Sequence, residues 1–305
     1  MNTIFGNVKS DRQFSASTGF DKEQFYDLVF EYDETEAQFF NGGLLPANLP
    51  GSLQKVEERV FFTLYYLKVY PTLDVLGICF GMDAASCGAF LQKSLFILEK
   101  TLLRLKVLPP RKFSDHKQLQ KALAGLEELV VDATERRTEK PENKADQSDG
   151  YSGKKKANTL KNTVICTKRA FIVFLGATVW GGIYHDMDLF RKDFSPRLNW
   201  FKRFRLWMDK GYQGFEKDYM AKQVIRPQKK PKKSKNNPNP ELSEEQVAAN
   251  KEISKERIVV EHAIRGMKRY NILVYPLRTF SENLIERVIG ICAGLWNLKI
   301  SLRCA

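Results

Sequence analysis

No stretch of the 305 residues is apolar for long enough to span a bilayer as a helix. The longest such run, AFIVFLGATVWGGIY from Ala170 to Tyr184, falls short of the about 20 residues that a spanning helix needs. Its β-branched and aromatic residues with internal glycines mark one or two buried strands instead. The first twenty residues, MNTIFGNVKSDRQFSASTGF, lack an apolar signal core, so export is not expected and a cytoplasmic protein is. Paired cysteines are missing too. Cys79, Cys87, Cys166, Cys292 and Cys304 are scattered without a C-x-x-C, which suits reduced thiols and argues against a disulfide frame or a zinc site.

What the chain does have is positive charge. It carries 49 Lys+Arg against 36 Asp+Glu, a formal net charge of +13. Such a balance favours polyanions, meaning nucleic acid or an anionic membrane surface. No basic amphipathic helix with an aromatic face dominates, so nucleic acid leads and no membrane partner is expected. At 43% hydrophobic, the chain can bury one large core or two ordinary ones.

Residues 1–50 contain one expected helix, DKEQFYDLVFEYDETEAQFF, followed by a glycine- and proline-containing loop. From Leu53 to Leu105 apolar residues recur every three or four positions, so the stretch reads as all helix. Pro71 and Thr72 separate two helices, and Gly81 with Asp83 marks a tight turn before a third. A short helix, a glycine turn and a longer helix outline a helix-turn-helix over residues 51–108, although a plain three-helix bundle has the same pattern.

The periodicity then changes. Leu129–Arg137, Gly150–Lys168 (with a hairpin), Arg169–Gly182 and Arg203–Asp209 read as strands, with a helix at HDMDLFRKDF between the last two. Arg226–Glu241 is basic, proline-rich and poor in apolar residues, hence a loop. A helix follows from Ser243, with capping-box spacing to Gln246 and an expected break near Ser254. The last helix, SENLIERVIGICAGLWNLKISL, is expected to pack on the sheet. The fold class is therefore α/β, with an all-helical region before a mixed sheet.

Two strands end in a carboxylate: LVV runs into Asp132 and LWM into Asp209. Glu261, in RIVVEHAIRGMK, stands on a helix that could pack beside them. Three carboxylates converging from separate elements make an all-oxygen site for Mg²⁺ or Mn²⁺. Two such ions about 3.5–4 Å apart suit phosphoryl transfer, one oxygen attacking and one leaving. The bland alternatives are a strand-end cap for Asp132 and an i,i+4 partner of Arg257 or Arg265 for Glu261. Spacing alone leaves both open.

At these residues the chain resembles the DDE transposases of bacterial insertion sequences, close to insertion-sequence family five and its Harbinger-like relatives. The resemblance rests on YYLKVYPTLDVLGICFG, VVDATERRTEKP, YSGKKKANTLK, YHDMDLF, MDKGYQGF, ERIVVEHAIRGMKRYNIL and AGLWNLKI, in the family's order from about Leu53 onward. It implies an RNase H-like catalytic domain over 125–305 behind the helix-turn-helix. It also implies the D, D and E roles for Asp132, Asp209 and Glu261, with two Mg²⁺ ions (Mn²⁺ as substitute). Arg257, Glu261 and Lys268 match an R-x3-E-x6-K signature. The tyrosine expected three residues before the arginine is Ser254 here, and DATE stands where the family often has DGTE. On a helix, Arg257 and Lys268 would lie near the face of Glu261 and could hold phosphates of the cut strand.

The basic turn Lys154, Lys155 and Lys156, and Lys229, Lys230, Lys232 and Lys233 in the later loop (to Lys235), are candidate grips on the DNA backbone, or simply solvated turns. His185 and Asp186 fit a strand-to-helix turn better than a dyad, and His262 points away from Glu261. Tyr212 and Gln213 could shape the turn after Asp209 or touch DNA. The expected function is cleavage and transfer of double-stranded DNA at terminal inverted repeats, by at least a homodimer on DNA. A catalytically silent or host-adopted DNA binder, and an RNase H-like nuclease that cuts without joining, are the alternatives.

Overall fold

The computed structural model describes residues 3–40, 51–233, 238–279 and 281–303. By internal contacts the chain forms two compact units. One gathers residues 1–109, 137–139 and 266–305; the other gathers 110–136 and 140–265.

The first unit is helical. Helix α1 (Asp11–Thr18) opens on a reciprocal capping box between Ser10 and Gln13 and closes on left-handed Gly19. After α2 (Lys22–Phe40) come α3 (Val56–Val69), α4 (Leu73–Phe80) and α5 (Ala84–Arg104). Thr72 caps α4 and Asp83 caps α5, each accepting from a backbone N–H three residues on. Between them the chain bends by 91°. That bend needs Gly77, where a Cβ would stand 2.3 Å from the Met82 carbonyl oxygen, and left-handed Gly81. Among the described residues no single helix is long and apolar enough to cross a membrane.

The second unit starts with the short helix α6 (His116–Ala122) and strand β1 (Glu128–Arg137). Helix α7 (Lys144–Gly150) leads into β2 (Tyr151–Ser152) and β3 (Ala157–Cys166). Strands β4 (Ile172–Leu175) and β5 (Val179–Trp180) fold back antiparallel on β3. Then follow α8 (Asp186–Asp193), β6 (Phe201–Trp207), α9 (Phe215–Asp218), β7 (Ala221–Ile225) and α10 (Glu244–Met267). The main sheet path is β2-β3-β1-β6-β7, with β1, β6 and β7 parallel. The fold is thus a mixed α/β arrangement. Leu129, Val130 and Val131 are consecutive and all buried, as expected of a parallel strand covered on both faces. Phe190 of α8 packs on Phe201, Tyr212, Phe215 and Tyr219, and Phe194, just past the helix, packs on Phe190 and Phe201 to fill this core.

The chain closes with α11 (Glu282–Ser301), which returns to the first unit. Expected on the sheet, it packs on α5: Gly294 lies against Leu102, and Asn297 donates to the Val107 carbonyl at 2.9 Å. Its residues Ile285 to Leu298 are apolar on almost every side, so the pattern named a buried helix without naming its partner. The break expected near Ser254 is absent, since that hydroxyl donates to the Asn250 carbonyl at 2.8 Å inside an unbroken α10. The Ser243–Gln246 capping box forms as read.

Candidate active site

Strand register brings the first two carboxylates together. Val130 of β1 pairs in parallel with Trp207 of β6. Asp132 and Asp209 each follow two residues later and so stand at the same level, but only Asp209 lies past the end of its strand, whereas β1 continues through Asp132 to Arg137. Parallel strands lie about 4.8 Å apart, and one side chain spans the pair. Arg257 on α10 places Nη2 3.4 Å from Asp132 Oδ2 and Nη1 3.4 Å from Asp209 Oδ1. Its side chain is 10% exposed, against 21% for Asp132 and 42% for Asp209. Its Nε is buried with no partner. Both contacts are long for charge-assisted hydrogen bonds, so Arg257 neutralises the pair without gripping it tightly.

Burial pushes the Asp132 carboxyl up to about 6; a hydrogen bond from Ala133 N–H and the Arg257 charge pull the other way, and Asp209 and Asp186 add to the rise. Near this pair is a network whose roles sequence reasoning missed. Lys161 of β3, 7% exposed, meets Asp186 Oδ1 at 2.6 Å and Glu135 Oε1 at 3.9 Å, and donates to the Tyr184 carbonyl at 3.0 Å. No local pattern announced it, since β3 (ANTLKNTVIC) is half polar and Asp186 lies 25 residues further on.

Glu261 is not drawn in. It lies on α10 one turn beyond Arg257, on the same face, and is exposed. Among the described residues no three His, Cys, Asp or Glu side chains form a group able to hold a metal ion. The donor chemistry of Asp132 and Asp209, carboxylate oxygens converging from adjacent strands, fits a hard divalent cation. Helical spacing set Glu261 on the face that carries Arg257 but could not set how α10 lies against the two aspartates.

Lys154, Lys155 and Lys156 are exposed in the turn of the β2–β3 hairpin, with Lys156 left-handed at φ 49°. Lys229, Lys230, Lys232 and Lys233 are exposed too; Lys235 lies outside the described residues. This loop is tethered where it begins, because the Gln228 N–H donates to the Asn250 side chain and the Asn250 amide donates back to the Gln228 carbonyl. Lys268, expected on the helix, stands in the turn just past the end of α10 and is half-buried. Tyr212 is fully buried against Phe190, so it shapes the turn after Asp209, while Gln213 is exposed. His185 is the exposed N-cap residue of α8, and His262 is exposed on α10.

A family model of DDE superfamily endonucleases matches residues 131–297, more than half of the chain and inclusive of Asp132, Asp209 and Glu261. The chain is also 29% identical over 296 residues to a protein of Microchaete diplosiphon described as a probable transposase for insertion sequence element IS702, covering 96% of each. No solved structure matches.

Proposed function

The chain belongs to the DDE superfamily endonucleases, and from that premise we propose that it is an insertion-sequence transposase that binds terminal inverted repeats, cuts DNA there and joins the freed end to target DNA. The observation that carries this reading is the juxtaposition of Asp132 and Asp209, each two residues beyond the parallel pair of Val130 and Trp207 and both within reach of Arg257. Asp132 and Asp209, with Glu261 brought in from α10, would hold two Mg²⁺ ions, or Mn²⁺ in their place. Bound there, such ions supply charge neutralisation and an activated oxygen nucleophile for in-line displacement at phosphorus.

The residues of the chain do the rest. Asp132 and Asp209 accept cations once Arg257 yields their oxygens, which frees that guanidinium for a phosphate of the cut strand. Lys154, Lys155, Lys156, Lys229, Lys230, Lys232, Lys233 and Lys268 would position the backbone without reading sequence. Sequence reading falls to α4 and α5, taken as a helix-turn-helix. The start of α5 exposes Ala85, Ser86, Ala89, Gln92 and Lys93 on one face, small residues for close approach with polar ends to meet base edges. Residues 125–305 then carry the chemistry on an RNase H-like framework, and pairing of two element ends calls for at least a dimer on DNA.

One observation favours a second reading, a DNA binder without catalysis: Arg257 occupies both aspartates and Glu261 stands apart. The test is Asp209→Asn assayed on labelled element ends. The transposase reading predicts metal-dependent nicking and strand transfer by the native chain, both lost in the variant, with end binding nearly intact. Binding by the native chain without any cleavage would support the second reading. Nicking by the variant at the native rate would refute the assignment of Asp209.

A further inference from the structure

Asp186 lies close enough to the aspartate pair for its charge to help raise Asp132, and its two oxygens face different things. Oδ1 is pinned by Lys161 at 2.6 Å. Lys161 is itself held by the Tyr184 carbonyl and lies near Glu135, whose carboxylate accepts from Ser152 Oγ at 2.8 Å. A lysine so enclosed needs a carboxylate beside it, so neither partner is free to drift. Oδ2 faces Gly211: a Cβ built there would stand 2.5 Å from it. Gly211 is two residues past Asp209, in the turn Lys210–Tyr212 that closes when the Tyr212 N–H donates to the Asp209 carbonyl at 3.1 Å.

Gly211 is not among the glycines with positive φ. Its backbone would accept another residue; what excludes a side chain is the Asp186 carboxylate. The missing Cβ therefore serves contact between that carboxylate and the turn carrying Asp209. Asp186 thus bears on both aspartates, on one through its charge and on the other through the turn.

We propose that Asp186, locked by Lys161, is a positioning residue that braces the Asp209 turn through Gly211 and so fixes Asp209 beside Asp132. This rests on the reading of the two aspartates as the cation-holding pair. Asp186 need not touch substrate: it acts through the turn, and Gly211 is the contact that transmits it.

The test uses the full chain with Asp186→Asn, Gly211→Ala and the double variant, each checked for a native melting transition. Two quantities are read: hydrogen exchange of the peptide spanning residues 206–215, and Mn²⁺ affinity by titration. Each single change is expected to speed exchange at the Tyr212 amide and weaken Mn²⁺ binding about tenfold, as removal of a partner that orients a ligand does. The double variant should be no worse than either single, because both act on one contact. Native exchange and native Mn²⁺ affinity in folded single variants would overturn the proposal, as would a double variant weakened by the product of the two. Asp132→Asn and Asp209→Asn run alongside. If these bind Mn²⁺ like the native chain, the cation-holding reading fails, while the exchange result still decides whether Asp186 braces the turn.

Discussion

Asp132 is buried enough that its charge is unwelcome. Its carboxyl is raised to about 6, against an unfolded value of about 3.9. Between those values the folded chain binds more protons than the unfolded one, so this group makes stability fall as pH rises. In chelator, Asp132→Asn should therefore gain stability relative to the native chain between about pH 4 and 6. The pH-dependent part of the difference should be on the order of 2–3 kcal/mol. Thermal melts at several pH values check it, and a difference independent of pH would contradict the burial argument. The nearness of the two aspartates was legible because each follows an apolar run, although β1 continues past Asp132 to Arg137 instead of ending there. The contact of Arg257 with both was not, because spacing says which residues share a helix face and nothing about what that face meets.

Elements were legible where their pattern was long. Strands β1 and β6, the hairpin and helix α8 fall close to where alternation and turn residues placed them. Strand β7 went unread because AKQVI is short and only partly buried, leaving no alternation to see. Helix α10 runs through Ser254 because that hydroxyl bonds back to the preceding turn, so a residue that suits helix ends is accommodated inside one. In α4, Gly77 is under a sharper constraint. Its Cβ would meet a backbone carbonyl at 2.3 Å, which cannot swing aside as a side chain can. Gly77→Ala is expected to cost about 2–4 kcal/mol and to weaken binding to element ends with it. Chemical denaturation and a gel-shift titration measure the two, and a stable variant with native binding would remove α4 and α5 from the DNA-reading role.

For the molecule as a whole, the sequence suggested order along the chain, but contact follows a different plan. The helical unit takes residues from both ends, 1–109 and 266–305, with three from the middle. Periodicity carries no information about such returns, since α11 would look the same packed on a sheet or on α5. Charge, by contrast, reads directly from composition. A net +13 with exposed lysines in the β2–β3 turn predicts binding whose logarithm falls linearly with the logarithm of salt. Replacing Lys154, Lys155 and Lys156 by Ala should weaken all DNA sequences alike and lower that slope by about one for each phosphate that the turn neutralises. Fluorescence anisotropy across a salt series reads this, and an unchanged slope would make the turn a solvated surface.

The two aspartates are best tried by soaking crystals of the chain in Mn²⁺ and mapping its anomalous scattering. The expected result is a peak touching Asp132 and Asp209 at about 2.0–2.3 Å from their oxygens, typical of hard divalent ions, with Arg257 displaced from both. A map with no peak there, and Arg257 still between the two carboxylates, would contradict their role as the cation-holding pair.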